Sequence, residues 1–256
     1  MRALLSKAEG QRFEPVIVHH FSILLLSFPY LFISKEFFFI GGIAMINTTR
    51  LRCMIGWLGI ALPILVLVLS LICGFGIPAS VSITYFYYPC VAPFMVILGA
   101  AGILLMCYYG YDSLDDWLNT FAGAFGIGVC LFPTYPTSEY LAMYDKVGMF
   151  MLDPNISSRL HNICAIGFFS LLIVNSLFLF TKSSGEMTKK KKIRNVIYRV
   201  CGIGMLASIV LLAVLSFVGV SYGILIGEAL ALLFFGFSWL TKADYYPWLA
   251  CDDKNI

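Results

Sequence analysis

Six apolar runs, each long enough to cross a lipid bilayer as a helix, dominate this chain. At 1.5 Å per residue, a helix needs about 20 apolar residues to cross the hydrocarbon core. Charged residues make up 12% of the sequence, against about 25% in soluble domains. We therefore predict an all-α, polytopic transmembrane helix bundle, with six spans in one domain over residues 45–256. The predicted spans are 54–77, 91–110, 113–132, 160–181, 197–218 and 219–240.

The distribution of lysine and arginine predicts the orientation of the six spans. Loops that carry more Lys and Arg stay in the cytoplasm. One side has only Lys146 and Arg159, so it is predicted to face outward and both ends of the six-span unit to lie inside. The basic residues of the other side are Arg50, Arg52, Lys182, Lys189–Lys192, Arg194, Arg199, Lys242 and Lys254.

Four consecutive lysines precede the fifth span: Lys189, Lys190, Lys191 and Lys192. Such a run anchors the topology and attracts anionic lipid headgroups, at about 1 kcal/mol per charge. The run contains no aromatic residues and no basic fold is predicted around it, so nucleic-acid binding is not predicted. Membrane lipids are the expected partners, and oligomeric state is left open.

The first 44 residues do not match the pattern of the later spans. Residues 21–34 are apolar but short for a span, and Lys35 with Glu36 interrupts the run. One interpretation is a short apolar segment. The other is that this extension is not translated and that synthesis starts at Met45, since codons for Gly41-Gly42 can form a bacterial ribosome-binding sequence. The second interpretation predicts a protein of the bacterial inner membrane.

Small and polar residues predict how the spans pack. The third span contains "AGAFGIG" (122–128) and the second contains "GAAG" (99–102). Small residues four apart let helix backbones approach closely in lipid, so these two spans are predicted to pack together. Asn175 and Ser176 are predicted to form hydrogen bonds between helices, and Pro133 to end the third span.

Three aspartates, Asp112, Asp115 and Asp116, lie just before and within the start of the third span. Asp112 can cap that helix, and Asp115 and Asp116 face the positive end of its dipole. Salt bridges to basic residues of neighbouring loops are a further interpretation. Carboxylates also suit Mg²⁺ or Ca²⁺, but the stretch has no second acidic cluster, so no metal site is predicted.

The predicted outer face carries the candidate ligand-binding residues: Ser82, Tyr85, Arg159, His161 and Glu228. Glu228 lies within the last span, and a carboxylate there costs roughly 2.5–3.5 kcal/mol on insertion scales. It should therefore face the bundle and find polar partners among the other four residues. Alternation in residues 78–88 ("PASVSITYFYY") predicts an extended segment that presents Ser82.

Several stretches resemble uncharacterised bacterial six-span membrane proteins similar to the domain-of-unknown-function 998 group. They include "GWLGIALP" (56–63), "YYGYDSLDDW" (108–117), "AGAFGIGVCLFP" (122–133), "LHNICAIGFF" (160–169) and "GEALALLFFGFSWLTK" (227–242). The resemblance covers about residues 50–242 and implies a six-helix bundle without assigning an activity. A more distant likeness to ceramidase-like families implies lipid handling. Their zinc site needs several histidines, and residues 45–256 contain only His161.

Three functions remain open at this stage. The favoured one is an integral membrane protein that binds lipid or a small amphiphile in an outer pocket. The others are a lipid-modifying enzyme with Glu228 or His161 as general acid or base, and a proton-coupled transporter that uses Glu228 as a relay. We predict neither a catalytic residue nor a cofactor, because no nucleophile–base pair or metal cluster is present in the pattern.

Overall fold

The computed structural model describes residues 48–183 and 187–249. The predicted N-terminal extension (1–44) and the proposed start at Met45 lie outside these residues. Within them the chain is helical, at 74% helix, and forms no strand. The helices are α1 (Thr48–Ile72), α2 (Val91–Met106), α3 (Ser113–Leu131), α4 (Ser138–Leu141), α5 (Pro154–Val174), α6 (Lys189–Val218) and α7 (Gly223–Lys242).

Three further elements of the described residues extend this set. A π-helical turn, Asn175–Leu179, continues α5, and a short 3₁₀ helix, Ser82–Phe86, lies between α1 and α2. A second 3₁₀ turn, Pro247–Leu249, follows α7. All six predicted spans correspond to helices, so the all-α prediction is confirmed for the described residues.

Within residues 48–183 and 187–249, four helices are long and apolar enough to cross a membrane: α1, α5 with its π-helical turn, α6 and α7. Helix α2 is apolar but shorter. Helix α3 is not among them, and its first two turns contain Asp115, Asp116 and Asn119. The length and composition of these helices identify a multi-pass membrane protein, while six spans with both ends inside stay a prediction.

The six long helices form a ring in chain order. Helix α1 packs on α2, α2 on α3, α3 on α5, α5 and its π-helical turn on α6, α6 on α7, and α7 back on α1. Consecutive helices are antiparallel, so the ring has two ends. We call them the Glu228 end, where α7 begins, and the Lys242 end, where α7 finishes. Trp239, 1% exposed, lies at the centre of the half near the Lys242 end and contacts the rings of Tyr108, Phe180 and Phe235.

Two helices begin earlier than their apolar runs. Helix α5 starts at Pro154 instead of 160, because the Asp153 carboxylate accepts the Asn155 N–H (2.9 Å) and proline suits the first helical position. Helix α6 starts at Lys189 instead of 197, because the Thr188 hydroxyl accepts the Lys191 N–H (3.2 Å). Capping residues outside the apolar run therefore set both starts.

Glycines bring α2 and α3 into backbone contact, which confirms the predicted packing of these helices. A Cβ atom added at Gly102 would lie 2.9 Å from the Gly123 carbonyl oxygen. Helices α1 and α7 meet in the same way at Gly56 and Gly236, where a Cβ at Gly236 would lie 2.6 Å from the Gly56 oxygen. The sequence analysis did not predict this second contact.

We expect Gly102→Ala to destabilise the protein and Gly99→Ala to leave its stability unchanged or slightly raised. Both replacements add one methyl group to α2 and both improve helix propensity. At Gly102 the methyl meets backbone, so α2 and α3 must separate, at a cost of about 1–3 kcal/mol; at Gly99 no atom lies within 4 Å. Thermal unfolding in detergent measures the difference. Equal midpoints for the two variants would contradict the close contact of α2 with α3.

Candidate functional site

Glu228 and Ser82 meet at the Glu228 end of the bundle. The Glu228 carboxylate accepts the Val81 N–H at Oε2 (2.6 Å) and the Ser82 hydroxyl at Oε1 (3.0 Å). One turn earlier on α7, the Leu225 N–H donates to the Ala79 oxygen (3.2 Å). The beginning of α7 thus holds the connection between α1 and α2.

Residues 82–86 form a 3₁₀ helix, so the prediction of an extended segment was wrong. Hydroxyl groups close the turns locally: Ser80 Oγ accepts the Ile83 N–H (2.9 Å) and Thr84 Oγ1 donates to the Val81 oxygen (2.6 Å). Such side-chain bonds to the backbone compete with extended structure. Glu228 adds a carboxylate at the N-terminus of this short helix, where open N–H groups favour negative charge.

A small cavity lies beside Glu228 inside the bundle. About 30 Å³ of it is accessible to the centre of a water molecule, which is room for about two waters. Apart from Ser82 and Glu228 its walls are apolar and come from α1, α2, α3, α5, α7 and Val81. The apolar lining residues are Leu62, Val81, Phe94, Leu98, Val129, Ala165, Phe168, Phe169 and Leu232.

Tyr85 packs behind the cavity and does not line it. Its ring contacts the ring of Phe94 edge to face, with centroids 6.5 Å apart, and Phe94 is part of the cavity wall. Burial, with a smaller contribution from Tyr140, raises the pKa of Tyr85 to about 12. The phenol is therefore neutral at physiological pH and supports the wall of the cavity.

His161 and Arg159 lie apart from the Glu228 carboxylate. His161, 4% exposed, places Nδ1 2.8 Å from the Phe132 carbonyl oxygen, and since that oxygen only accepts, Nδ1 carries the proton. One turn earlier, Ser157 donates to the Pro133 oxygen (2.7 Å). These side chains of α5 satisfy carbonyl groups at the end of α3. Arg159 is exposed, and ligand binding by either residue stays a prediction.

The three aspartates lie at the Lys242 end and satisfy backbone groups at the start of α3. Asp112 Oδ1 accepts the Asp115 N–H (2.9 Å), which confirms the predicted cap. Asp115 Oδ2 accepts the Tyr111 N–H (3.1 Å), and Asp116 Oδ1 accepts the Gly110 N–H (2.7 Å). All three carboxylates therefore fix the connection between α2 and α3.

Lys182 compensates the charge of this cluster, as the salt-bridge interpretation predicts. Its Nζ lies 2.6 Å from Asp115 Oδ1 and 2.9 Å from Asp112 Oδ2. Asp115 is buried, so its pairing with Lys182 ties α3 to the end of the π-helical turn. In the described residues no group of three or more His, Cys, Asp or Glu is arranged to hold a metal ion.

The predicted hydrogen bonds between helices are confirmed for Asn175 and Ser176. Asn175 Nδ2 donates to Asn119 Oδ1 on α3 (3.0 Å). Ser176 Oγ donates to the backbone carbonyl oxygen of Tyr198 on α6 (2.8 Å) and lies 2.7 Å from Ser238 Oγ on α7. The π-helical turn thus carries polar contacts to three helices, all of them buried.

The sequence analysis assigned Lys242 only a topological role, but the structure buries it. The residue is 2% exposed, and its Nζ lies 4.4 Å from the centroid of the Tyr111 ring. Its position at the end of an apolar helix resembles that of an ordinary flanking lysine. The rings of Tyr111 and Phe180, from two other segments, lie against its Nζ, and that arrangement depends on tertiary contacts.

The fold and the site define a multi-pass membrane protein with an all-helical bundle. Comparisons with models of protein families, with curated proteins and with solved structures each gave no match. A function for this protein is therefore proposed from its own residues and contacts alone.

We expect Lys182→Gln to lower the thermal midpoint near neutral pH by about 3 °C, since it leaves buried Asp115 without its cation. A hydrogen bond from Lys182, followed by the Asp115 N–H, holds the pKa of Asp112 below its usual range. Ionised Asp112 thus stabilises the fold above its ordinary pKa, and this contribution is lost as the pH falls through the lowered value. The difference between wild type and variant should shrink below about pH 4.

Differential scanning fluorimetry from pH 3 to pH 8 measures this effect. Lys146→Gln removes an exposed lysine at the opposite end and should leave the midpoint unchanged at every pH. A pH-independent difference between wild type and Lys182→Gln would contradict the ion-pair assignment.

Proposed function

We propose that this protein binds an amphiphile whose polar head contacts Glu228 and Ser82 and whose apolar chain enters the cavity beside them. The observation that carries the proposal is the composition of the cavity wall. Apolar side chains from five helices surround it, and a carboxylate with a neighbouring hydroxyl lies at its edge. Few polar groups in a mostly apolar cavity are typical of small-molecule sites.

The hydrogen bonds already made by Glu228 restrict the head group. Protein donors occupy part of the acceptor capacity of the carboxylate: the Val81 N–H bonds to Oε2, the Ser82 hydroxyl bonds to Oε1, and the Ser82 N–H also interacts with the carboxylate. An ionised carboxylate has no donor, so a ligand that binds this form must donate. A hydroxyl or a primary ammonium group fits this requirement, whereas a head group without a donor leaves the carboxylate unsatisfied.

The small size of the cavity implies that side chains of the protein move when the acyl chain of a ligand enters. Room for about two waters does not hold an acyl chain. Phe168 is buried, but Phe169 is half-buried, and both line the cavity. Rotation of Phe169 away from the cavity is the smallest change that enlarges it. The bound state therefore differs from the present one mainly at α5.

Two observations favour binding over the alternatives. His161 already uses Nδ1 on the Phe132 carbonyl and lies apart from Glu228, which weighs against a catalytic pair. The interior towards the Lys242 end is filled by the rings around Trp239. That filling weighs against a continuous proton or solute path between the two ends.

The wider assignment is part of the same proposal. It comprises six spans with both ends inside, a bacterial inner membrane, and membership of the domain-of-unknown-function 998 group. Lys189 and Lys192 are exposed in the first turn of α6. Their exposure supports contact of the lysine run with anionic lipid headgroups.

We expect Glu228→Gln to weaken binding of monoolein about tenfold or more, because the charged acceptor is lost. Methyl oleate has the same acyl chain without hydroxyl groups, and it should bind wild type and variant equally weakly. Native mass spectrometry of the protein released from detergent counts the bound molecules. Glu139→Gln, an exposed glutamate at the same end, is the matched control and should bind monoolein as wild type does.

A second pair of variants tests whether the acyl chain of monoolein occupies the cavity. Ala165→Leu fills the cavity and should reduce monoolein binding, whereas Ile166→Phe enlarges a neighbouring side chain that is 66% exposed and should not. If Glu228→Gln and Ala165→Leu both bind monoolein as wild type does, the proposed site is wrong.

A further inference from the structure

Lys242 has a buried amino group with no hydrogen-bond partner in the part of the chain that the structure describes. It is 2% exposed, and Nζ donates to no atom of those residues. The rings of Tyr111 and Phe180 lie 4.4 and 5.2 Å from Nζ. Aromatic faces attract an ammonium group, but they do not replace the three acceptors that it needs.

Arg52 brings a second cation to the same place. Its Nη1 donates to the Lys242 carbonyl oxygen (3.4 Å), and its Cζ lies 5.4 Å from the centroid of the Tyr108 ring. Its Nε is buried and makes no hydrogen bond with the described residues. Two donors, one from α1 and one from α7, are thus left unsatisfied at one end of the bundle.

Two further cations surround this pair. Lys191 donates to the carbonyl oxygen of Phe180, whose ring also contacts Lys242. Arg194, 3% exposed, binds Asp244 (2.6 Å). The charges of Arg52, Lys191 and Arg194 all repel the Lys242 ammonium group. We call these four residues the Lys242 cluster.

The carboxylates around the Lys242 cluster are already paired. Asp115 attracts Lys242 from a distance but bonds directly to Lys182 (2.6 Å), and Asp244 bonds to Arg194. Among residues 48–183 and 187–249 the cluster therefore has more cationic groups than carboxylates to pair with them. A buried charge is stable only with a counter-charge and hydrogen bonds, which indicates that an anion belongs here.

The helix dipole does not supply this counter-charge. A lysine in the last turn of a helix is favourable, because free carbonyl groups make that end negative. Lys242 Nζ, however, donates to none of these carbonyls, and it is Arg52 that bonds to the Lys242 oxygen. The dipole lowers the cost of the charge and leaves its hydrogen bonds unmade.

We propose that the Lys242 cluster binds a phosphate-type anion, held by Lys242 Nζ and Arg52 Nε in the field of Lys191 and Arg194. Phosphate oxygens accept several charge-assisted hydrogen bonds at once, as these donors require. The site lies where α1 begins and α7 ends, so both a lipid phosphate and free phosphate are chemically suitable. It differs from the exposed Lys189 and Lys192, and it does not depend on the proposed function of Glu228.

The first test is thermal unfolding of the full chain in an uncharged detergent, with inorganic phosphate titrated at constant ionic strength. A ligand at 100 times its dissociation constant should raise the wild-type midpoint on the order of 5 °C. Lys242→Met removes the charge and retains an unbranched side chain, and it should abolish the shift. Lys189→Met removes an exposed lysine at the same end and should retain it.

The baseline of the variants separates binding from a purely structural role. Without phosphate, Lys242→Met should be at least as stable as wild type, because an apolar side chain replaces an unpaired buried charge. Arg52→Gln removes the guanidinium Nε–H and should raise the apparent dissociation constant for phosphate about tenfold. This variant provides the test if Lys242→Met does not fold. Equal phosphate shifts in wild type, Lys242→Met and Arg52→Gln would overturn the proposal.

A second arm identifies the source of the phosphate group. The same proteins are placed in nanodiscs of phosphatidylcholine alone or with phosphatidic acid. Stabilisation by phosphatidic acid that requires Lys242 supports a lipid headgroup, and stabilisation by inorganic phosphate in phosphatidylcholine supports the free anion. If neither phosphatidic acid nor inorganic phosphate stabilises the wild-type protein, the proposal is wrong.

Discussion

Hydrogen bonds from one segment to the open backbone groups of another hold this bundle together. Where a helix end is buried inside the protein, water does not satisfy its N–H and C=O groups, and each buried group left open costs several kcal/mol. Glu228 on α7 satisfies the Val81 N–H, and Ser157 with His161 on α5 satisfies carbonyl groups after α3. The partners are far apart in sequence, so each bond fixes a connecting segment and the relative position of two helices. Without them the ring would have the same apolar surfaces but no defined register.

The two ends of the ring solve the problem of buried charge differently. At the Glu228 end the carboxylate accepts two protein donors and adjoins a cavity, so the charge is bonded and accessible to a ligand. At the Lys242 end the ammonium group is surrounded by rings and by other cations, and its hydrogen bonds are open. The first arrangement suits a ligand that donates hydrogen bonds, and the second requires one that accepts them. The difference follows from the groups around each charge, since both residues belong to the same helix.

Apolar length and small residues predicted the helices and the close contact of α2 with α3, because both signals are local in sequence. The cap by Asp112 and the interhelical bonds of Asn175 and Ser176 were predictable for a similar reason: a polar side chain at a helix end or inside an apolar run needs a partner. The 3₁₀ helix at 82–86 was not predicted, because hydroxyl bonds to the backbone overrode an alternating pattern. The burial of Lys242 had no local signal. It depends on Tyr111 and Phe180, which come from two distant segments.

The aromatic residues around Trp239 lie between the two ends of the bundle. Glu228 and Lys242 are separated by about 21 Å along α7, and the rings of Tyr108, Phe180 and Phe235 fill the interior around Trp239. A ligand at one end therefore does not touch the other. Coupling between them would have to pass through α7 itself or through these rings, which touch both the wall of the cavity at Phe168 and the Lys242 cluster at Phe180. Because a densely packed core transmits strain, rotation of Phe169 would act on Phe168, and through it on Phe235 and Trp239. The packing that separates the two ends of the bundle thus also forms a continuous series of ring contacts between them.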